Sequence, residues 1–139
     1  MKLPSLRREP EPRIGAAAPD ERTASGRLGE DLAAAWLTSQ GYRVADRNVR
    51  TRFGEIDVLA RRQRLWIAVE VKTRRLHPAP ERTLTPRQLQ RIQRALAALA
   101  PHLRPRPKAL RVDVVAVTLR PERTAGIRLF AGRTDPWHP

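Results

Sequence analysis

The sequence predicts a three-layer α/β domain built on a mixed sheet. Two segments carry helical apolar periodicity, several short runs are rich in β-branched residues, and they alternate as helix, strand, hairpin, helix, strand, strand. At 139 residues the chain suffices for one domain with one core.

The elements follow in order. Residues 1–22 place Pro4, Pro10, Pro12 and Pro19 among Arg and Glu without apolar periodicity, which predicts a disordered tail. From Thr23 or Ser25, either a suitable N-cap, a helix should run to about Gln40, with Leu28, Leu32, Ala35 and Trp36 as its apolar stripe and Gly41 as its stop. Residues 42–50 read as a short strand and connection. The runs 55–60 and 65–73 then form a hairpin around a four-residue turn, 61–64. A proline-marked loop, 77–84, leads to Leu84-Thr85-Pro86, which supplies an apolar residue, a cap and a proline suited to a first helical position. The second helix carries Leu89, Ile92, Leu96, Leu99 and Leu103 at spacings of three and four and ends near Pro105. Residues 111–119 are apolar on both alternating faces except at Asp113, as in a strand covered on both sides, and 127–131 form a weaker edge strand. The folded domain is expected over 23–132, with a short tail over 133–139.

Charge narrows the function. Lys and Arg total 28 against 14 Asp and Glu, a formal net charge of +14, which points to a polyanionic partner. Only Lys2, Lys72 and Lys108 are lysine, so part of the Arg richness can reflect base composition, although the net charge stands. The absence of cysteine excludes a disulfide scaffold, a Cys-ligated metal site and a cysteine nucleophile. With neither a signal-peptide h-region nor a long apolar run, a cytoplasmic protein with no membrane partner is expected.

The hairpin carries the chemistry. Period-two alternation puts Glu70 and Lys72 on one face of their strand, and Glu55 and Asp57 on one face of theirs. With 61–64 as the turn, Glu55 lies opposite Glu70 and Asp57 opposite Ala68, and all four polar residues share a face. Opposed carboxylates about 5 Å apart repel unless a cation or proton lies between them. Oxygen-only ligation by Asp57, Glu70 and Glu55 suits Mg²⁺ or Mn²⁺. Such an ion would polarise a phosphate and activate water, with Lys72 positioned beside it. The alternative from spacing alone is a solvated face on which Glu70 and Lys72 offset each other.

The run Gly54-Glu55-Ile56-Asp57 followed by Val69-Glu70-Val71-Lys72-Thr73-Arg74 resembles the Asp…Glu-x-Lys core of the PD-(D/E)xK nucleases. Adding Gly26-x-x-Gly29-Glu30, Gly41-Tyr42 and Arg111-x-Asp113-Val114-Val115, the chain over roughly 23–130 resembles the YraN-like family of bacterial proteins. The resemblance implies a restriction-endonuclease-like fold related to archaeal Holliday-junction resolvases, and endonuclease activity. It gives Asp57, Glu70 and Lys72 the core metal and catalytic roles, and makes Glu30 the first-helix acid that relatives can add to the site. Periodicity sets Glu30 roughly 160° from the expected apolar stripe, at the cleft mouth or facing water. Glu55 matches the family run but lies outside the minimal triplet, where it could join the metal set or bind Arg. Two departures are Gln88, where the family carries a Lys, and Ile56, where the generic nuclease motif has Pro.

Arg61, Arg62 and Arg64 of the turn, Arg74 and Arg75, and Arg87, Arg91 and Arg94 form the expected phosphate-contacting set. His77, His102 and His138 are scattered and read as surface residues; Trp36 and Trp66 read as core. Asp113 is either a buried partner of an Arg or a site residue. The leading hypothesis is a Mg²⁺- or Mn²⁺-dependent endonuclease acting on DNA, branched or structured DNA included. The alternative is a catalytically silent nucleic-acid-binding module; a third, RNA-associated reading is allowed by charge but does not use the acids. DNA versus RNA and monomer versus homodimer stay open.

Overall fold

A single mixed sheet with a helix on each face organises the chain. The computed structural model describes residues 7–8, 21–75, 84–121 and 125–138. In order, the elements are β1 (Arg7–Arg8), α1 (Glu21–Ser39), β2 (Arg43–Thr51), β3 (Gly54–Arg62), β4 (Leu65–Arg75), α2 (Pro86–Leu99), β5 (Ala109–Leu119), β6 (Ala125–Phe130) and β7 (Asp135–Pro136). The strands lie in the order β1-β2-β3-β4-β5-β6, with β7 also on β5. All described neighbours are antiparallel except β4 and β5, which α2 connects as a crossover. Among the described residues no helix is long and apolar enough to cross a membrane.

The two faces of the sheet have separate cores. On the α1 side, Ala33 and Leu37 of the helix pack with Val58, Ile67, Val69, Val115 and Val117 of the sheet. On the α2 side, Ile92, Leu96 and Leu99 of the helix pack with Val49, Ile56, Leu59, Trp66 and Ala68 of the sheet and with Leu103. Strand β5 feeds both, with Val112 in one layer and Val115 and Val117 in the other, as its doubly apolar pattern requires.

Helix α2 follows its sequence signals. Thr85 caps it, Pro86 takes the first turn, and Gln88 closes a capping box: its backbone N–H donates to Thr85 Oγ1 at 3.1 Å and its Oε1 accepts from Thr85 N at 3.0 Å. Gln88, the departure from the family's Lys, thus has a local structural task. The helix stops at Leu99 and a 3-10 turn, Ala100–His102, brings Leu103 into the core, so the apolar stripe outlasts the α-helix.

Helix α1 corrects the expected stripe in part. Its fully buried face runs through Gly29, Ala33 and Leu37, and of the expected residues Leu32 and Trp36 pack against this core, whereas Ala35 is exposed and Leu28 is 49% exposed. Small residues decide this: a Cβ on Gly29 would overlap the Thr73 hydroxyl, so its absence lets the helix lie against β4. The helix ends as expected at Gly41 (φ +91°), where Tyr42 N donates to Leu37 O at 3.0 Å and Gly41 N to Thr38 O at 3.1 Å.

Three further expectations change. The β3–β4 turn has two residues, because Arg61↔Trp66 and Arg62↔Leu65 still pair and Gln63 takes φ +53°. Within the expected N-terminal tail, Arg7 and Arg8 pair with Arg50 and Val49, and α1 starts at Glu21. In place of the tail expected over 133–139, β7 pairs Asp135 with Leu110, and Trp137 N donates to Lys108 O at 3.0 Å. The loop expected over 77–84, with His77, lies outside the described residues except for Leu84.

Candidate active site

The hairpin register is two residues away from the expected one. Val58 pairs with Val69 and Leu59 with Ala68, a progression that brings Asp57, not Glu55, level with Glu70. A slip of two preserves parity, so the carboxylate argument survives with a different pair, but the four polar residues do not share one face as expected: Ile56 packs toward α2, which leaves Glu55 on the α1 side, opposite to Glu70 and Lys72.

Ladder pairing between β3 and β4 ends at Val58↔Val69. Just beyond, Asp57 Oδ2 accepts from Val71 N at 2.8 Å, so a side-chain carboxylate substitutes for the ladder on β4. The cause lies one strand away. Asn48, level with Asp57 between the pairs Arg47↔Val58 and Val49↔Ile56, has φ +50°, a conformation Asn tolerates better than most residues. Either side of this point the strands change phase: Val58 enters the α1 layer, whereas Val49 and Ile56 enter the α2 layer. Asp57 sits at that inversion and is turned toward β4.

Strand β4 itself stays regular. Val69 and Val71 pack toward α1, so Glu70 and Lys72 project on the α2 face, with Lys72 Nζ 3.3 Å from Glu70 Oε1. The Asp57 carboxyl thus stands beside that of Glu70, close enough for the Glu70 charge to disfavour ionisation of Asp57. Burial, and then the Glu70 charge, push the Asp57 pKa up to about 8; Glu30 adds to this and the Val71 N–H opposes it.

Glu30 faces inward. It stands four residues after Gly26 and three before Ala33, on the face that actually packs, which removes the solvent-facing alternative. Burial raises its pKa, partly offset by Arg47 and Asn48. With its amide oriented to satisfy both neighbours, Asn48 donates to Glu30 Oε2 at 3.1 Å and Glu55 Oε1 at 3.0 Å. Glu55, level with Arg50 and not with Glu70, therefore joins Glu30, and the expected Asp57–Glu70–Glu55 ligand set divides into two pairs. Among the described residues no three His, Cys, Asp or Glu groups gather as a metal site. The neighbouring Asp57 and Glu70 carboxylates still fit a divalent ion, since Mg²⁺ is commonly held by one or two protein carboxylates, with water and phosphate completing its shell.

Sequence reasoning missed Asn48. The available signal was an Asn inside a strand-like stretch between Val44 and Val49, a position where Asn is disfavoured unless the strand is irregular.

The arginines separate into groups. At the hairpin tip, Arg61 lies over the Trp66 ring and donates to Gln63 O at 3.1 Å, Arg62 lies over Tyr42 and donates to Gln40 O at 2.6 Å, and Arg64 donates to Arg106 O at 2.6 Å. They are engaged within the protein and stand about five residues along the strands from the carboxyl pair, roughly 17 Å. Arg75 Nε donates to Ser25 Oγ at 2.8 Å beside the α1–β4 recess, which Arg74 also lines. Arg87 and Arg91 are exposed on α2, and the Arg91 stem packs at Gly54, three residues from Asp57. Asp113 is structural: 1% exposed, it accepts two 2.8 Å bonds from Arg111 and one of 3.1 Å from Gly132 N, and Arg111 reaches Tyr42 Oη at 3.3 Å. Trp66 is core, with Nε1 donating to Pro105 O at 2.9 Å, and His102 and His138 are exposed.

A two-helix, mixed-sheet sandwich with a carboxyl pair and a lysine where two strands part defines an α/β protein of nuclease-like architecture. The chain belongs to the Uncharacterised protein family UPF0102, whose model matches residues 29–117, in agreement with the YraN-like resemblance of its motifs. It is 39% identical over 117 residues to a UPF0102 protein of Syntrophotalea carbinolica, covering 83% of this chain and 94% of that one. A UPF0102 protein of Anaeromyxobacter dehalogenans is 44% identical over 101 residues (71% and 75%), and one of Rhodopseudomonas palustris 45% over 121 (84% and 87%). All three are bacterial proteins that carry the family's name.

Proposed function

We propose that the protein is a Mg²⁺- or Mn²⁺-dependent endonuclease that hydrolyses phosphodiester bonds in DNA, branched or structured DNA included. The observation that carries this reading is Asp57 brought level with Glu70 where the β3–β4 ladder ends, with Lys72 Nζ 3.3 Å from Glu70 Oε1. A binding module has no use for buried acids that repel phosphate. Asp57 and Glu70 would hold the ion, which supplies Lewis-acid polarisation of the phosphate and a more acidic water.

The chain's own groups do the rest. The Val71 N–H fixes Asp57 Oδ2, which limits the rotation of a carboxylate that must present its other oxygen in one direction. Lys72, on the face shared with Glu70, orients the attacking water or donates to a phosphate oxygen as negative charge builds. The exposed Arg87 and Arg91 on the same face, with Arg74 and Arg75 at the end of β4, supply backbone-phosphate contacts. Arg61, Arg62 and Arg64 are not carried into this set, because their guanidinium groups serve the hairpin tip.

The test is to titrate Mg²⁺ and Mn²⁺ into the protein with single-stranded, linear duplex and branched DNA, and with RNA of matching sequence. Cleavage that needs the ion and disappears in Glu70→Ala and Lys72→Ala is expected, with Lys72→Ala retaining ion binding. A protein that binds no divalent ion at millimolar concentration and cuts no substrate is instead a nucleic-acid-binding module.

A further inference from the structure

Two glycines of α1 have different surroundings. Gly29 is required by packing, since any Cβ there meets Thr73. Gly26, one turn earlier, would meet nothing within 4 Å. A glycine inside a helix costs about 1 kcal/mol relative to alanine. No neighbour and no positive φ accounts for Gly26. What its missing side chain leaves is space, a recess of about 490 Å³ in which Ser25, Gly26 and Glu30 of α1 face Thr73, Arg74 and Arg75 of β4.

We propose that this recess binds a backbone phosphate of the nucleic-acid strand, next to the phosphate at the Asp57–Glu70 pair. The inference rests on the nuclease reading and adds a subsite to it. Its chemistry suits a phosphodiester: the Arg75 guanidinium and Ser25 hydroxyl are already joined at 2.8 Å, which holds a cation and a hydroxyl together at the rim. Thr73 adds a hydroxyl, and among the described residues no aromatic ring lines the recess to stack a base. Glu30 carries the opposite charge at the side nearest the carboxyl pair, which keeps a phosphate at the Arg75 end.

The test uses Gly26→Leu and Arg75→Gln in the full chain, with anisotropy of labelled single-stranded, duplex and four-way-junction DNA measured without metal so that nothing is cut. Gly26→Leu should bind about tenfold more weakly, as for loss of one charge-assisted contact, while its Tm is unchanged or raised, because leucine favours helix over glycine. Arg75→Gln should lower the slope of log affinity against log salt by about one. Mn²⁺ affinity, measured separately, should match the unchanged protein in both. If the unchanged protein binds DNA but neither variant alters affinity or salt slope, the recess is not a phosphate site and the nuclease reading survives. If the unchanged protein binds no nucleic acid, both fall. Should Gly26→Leu lose stability, the salt slope of Arg75→Gln decides alone.

Discussion

Strand β4 has two unlike edges. Toward β5 it pairs without interruption from Leu65↔Ala109 to Arg75↔Leu119, whereas toward β3 the ladder stops at Val58↔Val69. The regular edge holds Glu70 and Lys72 in fixed alternation; the broken edge gives them somewhere to act. A site of this kind needs both: a continuous ladder on each side would fill the space with backbone pairing, and a break on each side would leave Lys72 without a defined direction. The difference is created by Asn48 and Asp57, which invert strand phase and replace a ladder bond with a carboxylate.

The largest effect should come from Asp57, which belongs to the broken edge alone. Asp57→Asn keeps an acceptor for Val71 N but removes the charge, so the fold and Tm should persist while cleavage falls about 10²–10³-fold and ion binding is lost; calorimetric Mn²⁺ titration and initial rates check this. Retention of Mn²⁺ binding in the Asp57→Asn variant would show that the broken edge serves some other purpose.

pH sharpens the same comparison. The Asp57 carboxyl ionises near 3.8 when unfolded and near 8 when folded, so between these values the folded state holds the extra proton and stability falls as pH rises. An ion must displace that proton, so divalent affinity should increase about tenfold per pH unit up to about pH 8 and then level off. Thermal shift with and without Mg²⁺ at pH 6, 7 and 8 should show the ion stabilising the protein most at pH 8. A shift independent of pH would place the ion away from Asp57.

Asn48 separates backbone from side chain. Asn48→Gly keeps the left-handed conformation and loses the amide, whereas Asn48→Ala loses both and should be less stable by about 1 kcal/mol in urea unfolding. Both should weaken ion affinity by about tenfold through release of Glu30 and Glu55. Equal stability of the two variants would mean that the kink does not depend on φ at this position. The smallest effect belongs at the closed end of the hairpin: Gln63→Gly relieves a φ of +53° and should raise stability by about 0.5 kcal/mol with ion binding unchanged.

Much of this was legible in the residues. Thr85-Pro86 and Gly41 act through local backbone chemistry, and the spacing from Leu89 to Leu103 and the doubly apolar 111–119 run report burial directly, so their elements form where the pattern puts them. Glu70 and Lys72 share a face because alternation along a strand is a covalent property. The buried face of α1 was legible only in part: Leu32 and Trp36 pack as hydrophobicity suggests, but hydrophobicity also gives weight to the exposed Leu28, whereas contact with β4 is decided by the absence of side chain at Gly29. The pairing of Asp57 with Glu70 was hidden, since parity was legible but register was not: the charged residues Arg61 and Arg62 continue the ladder by lying on the Trp66 and Tyr42 rings.

Residue order alone accounts for the main helices and strands, for the acids and the lysine at hand, and for the face that Glu70 and Lys72 take along β4, because these depend on neighbours a few bonds away. Which acids meet is settled only when the layers assemble. That choice depends on a turn of two residues, a left-handed Asn48 and a helix able to approach at Gly29, all of which act between segments distant along the chain.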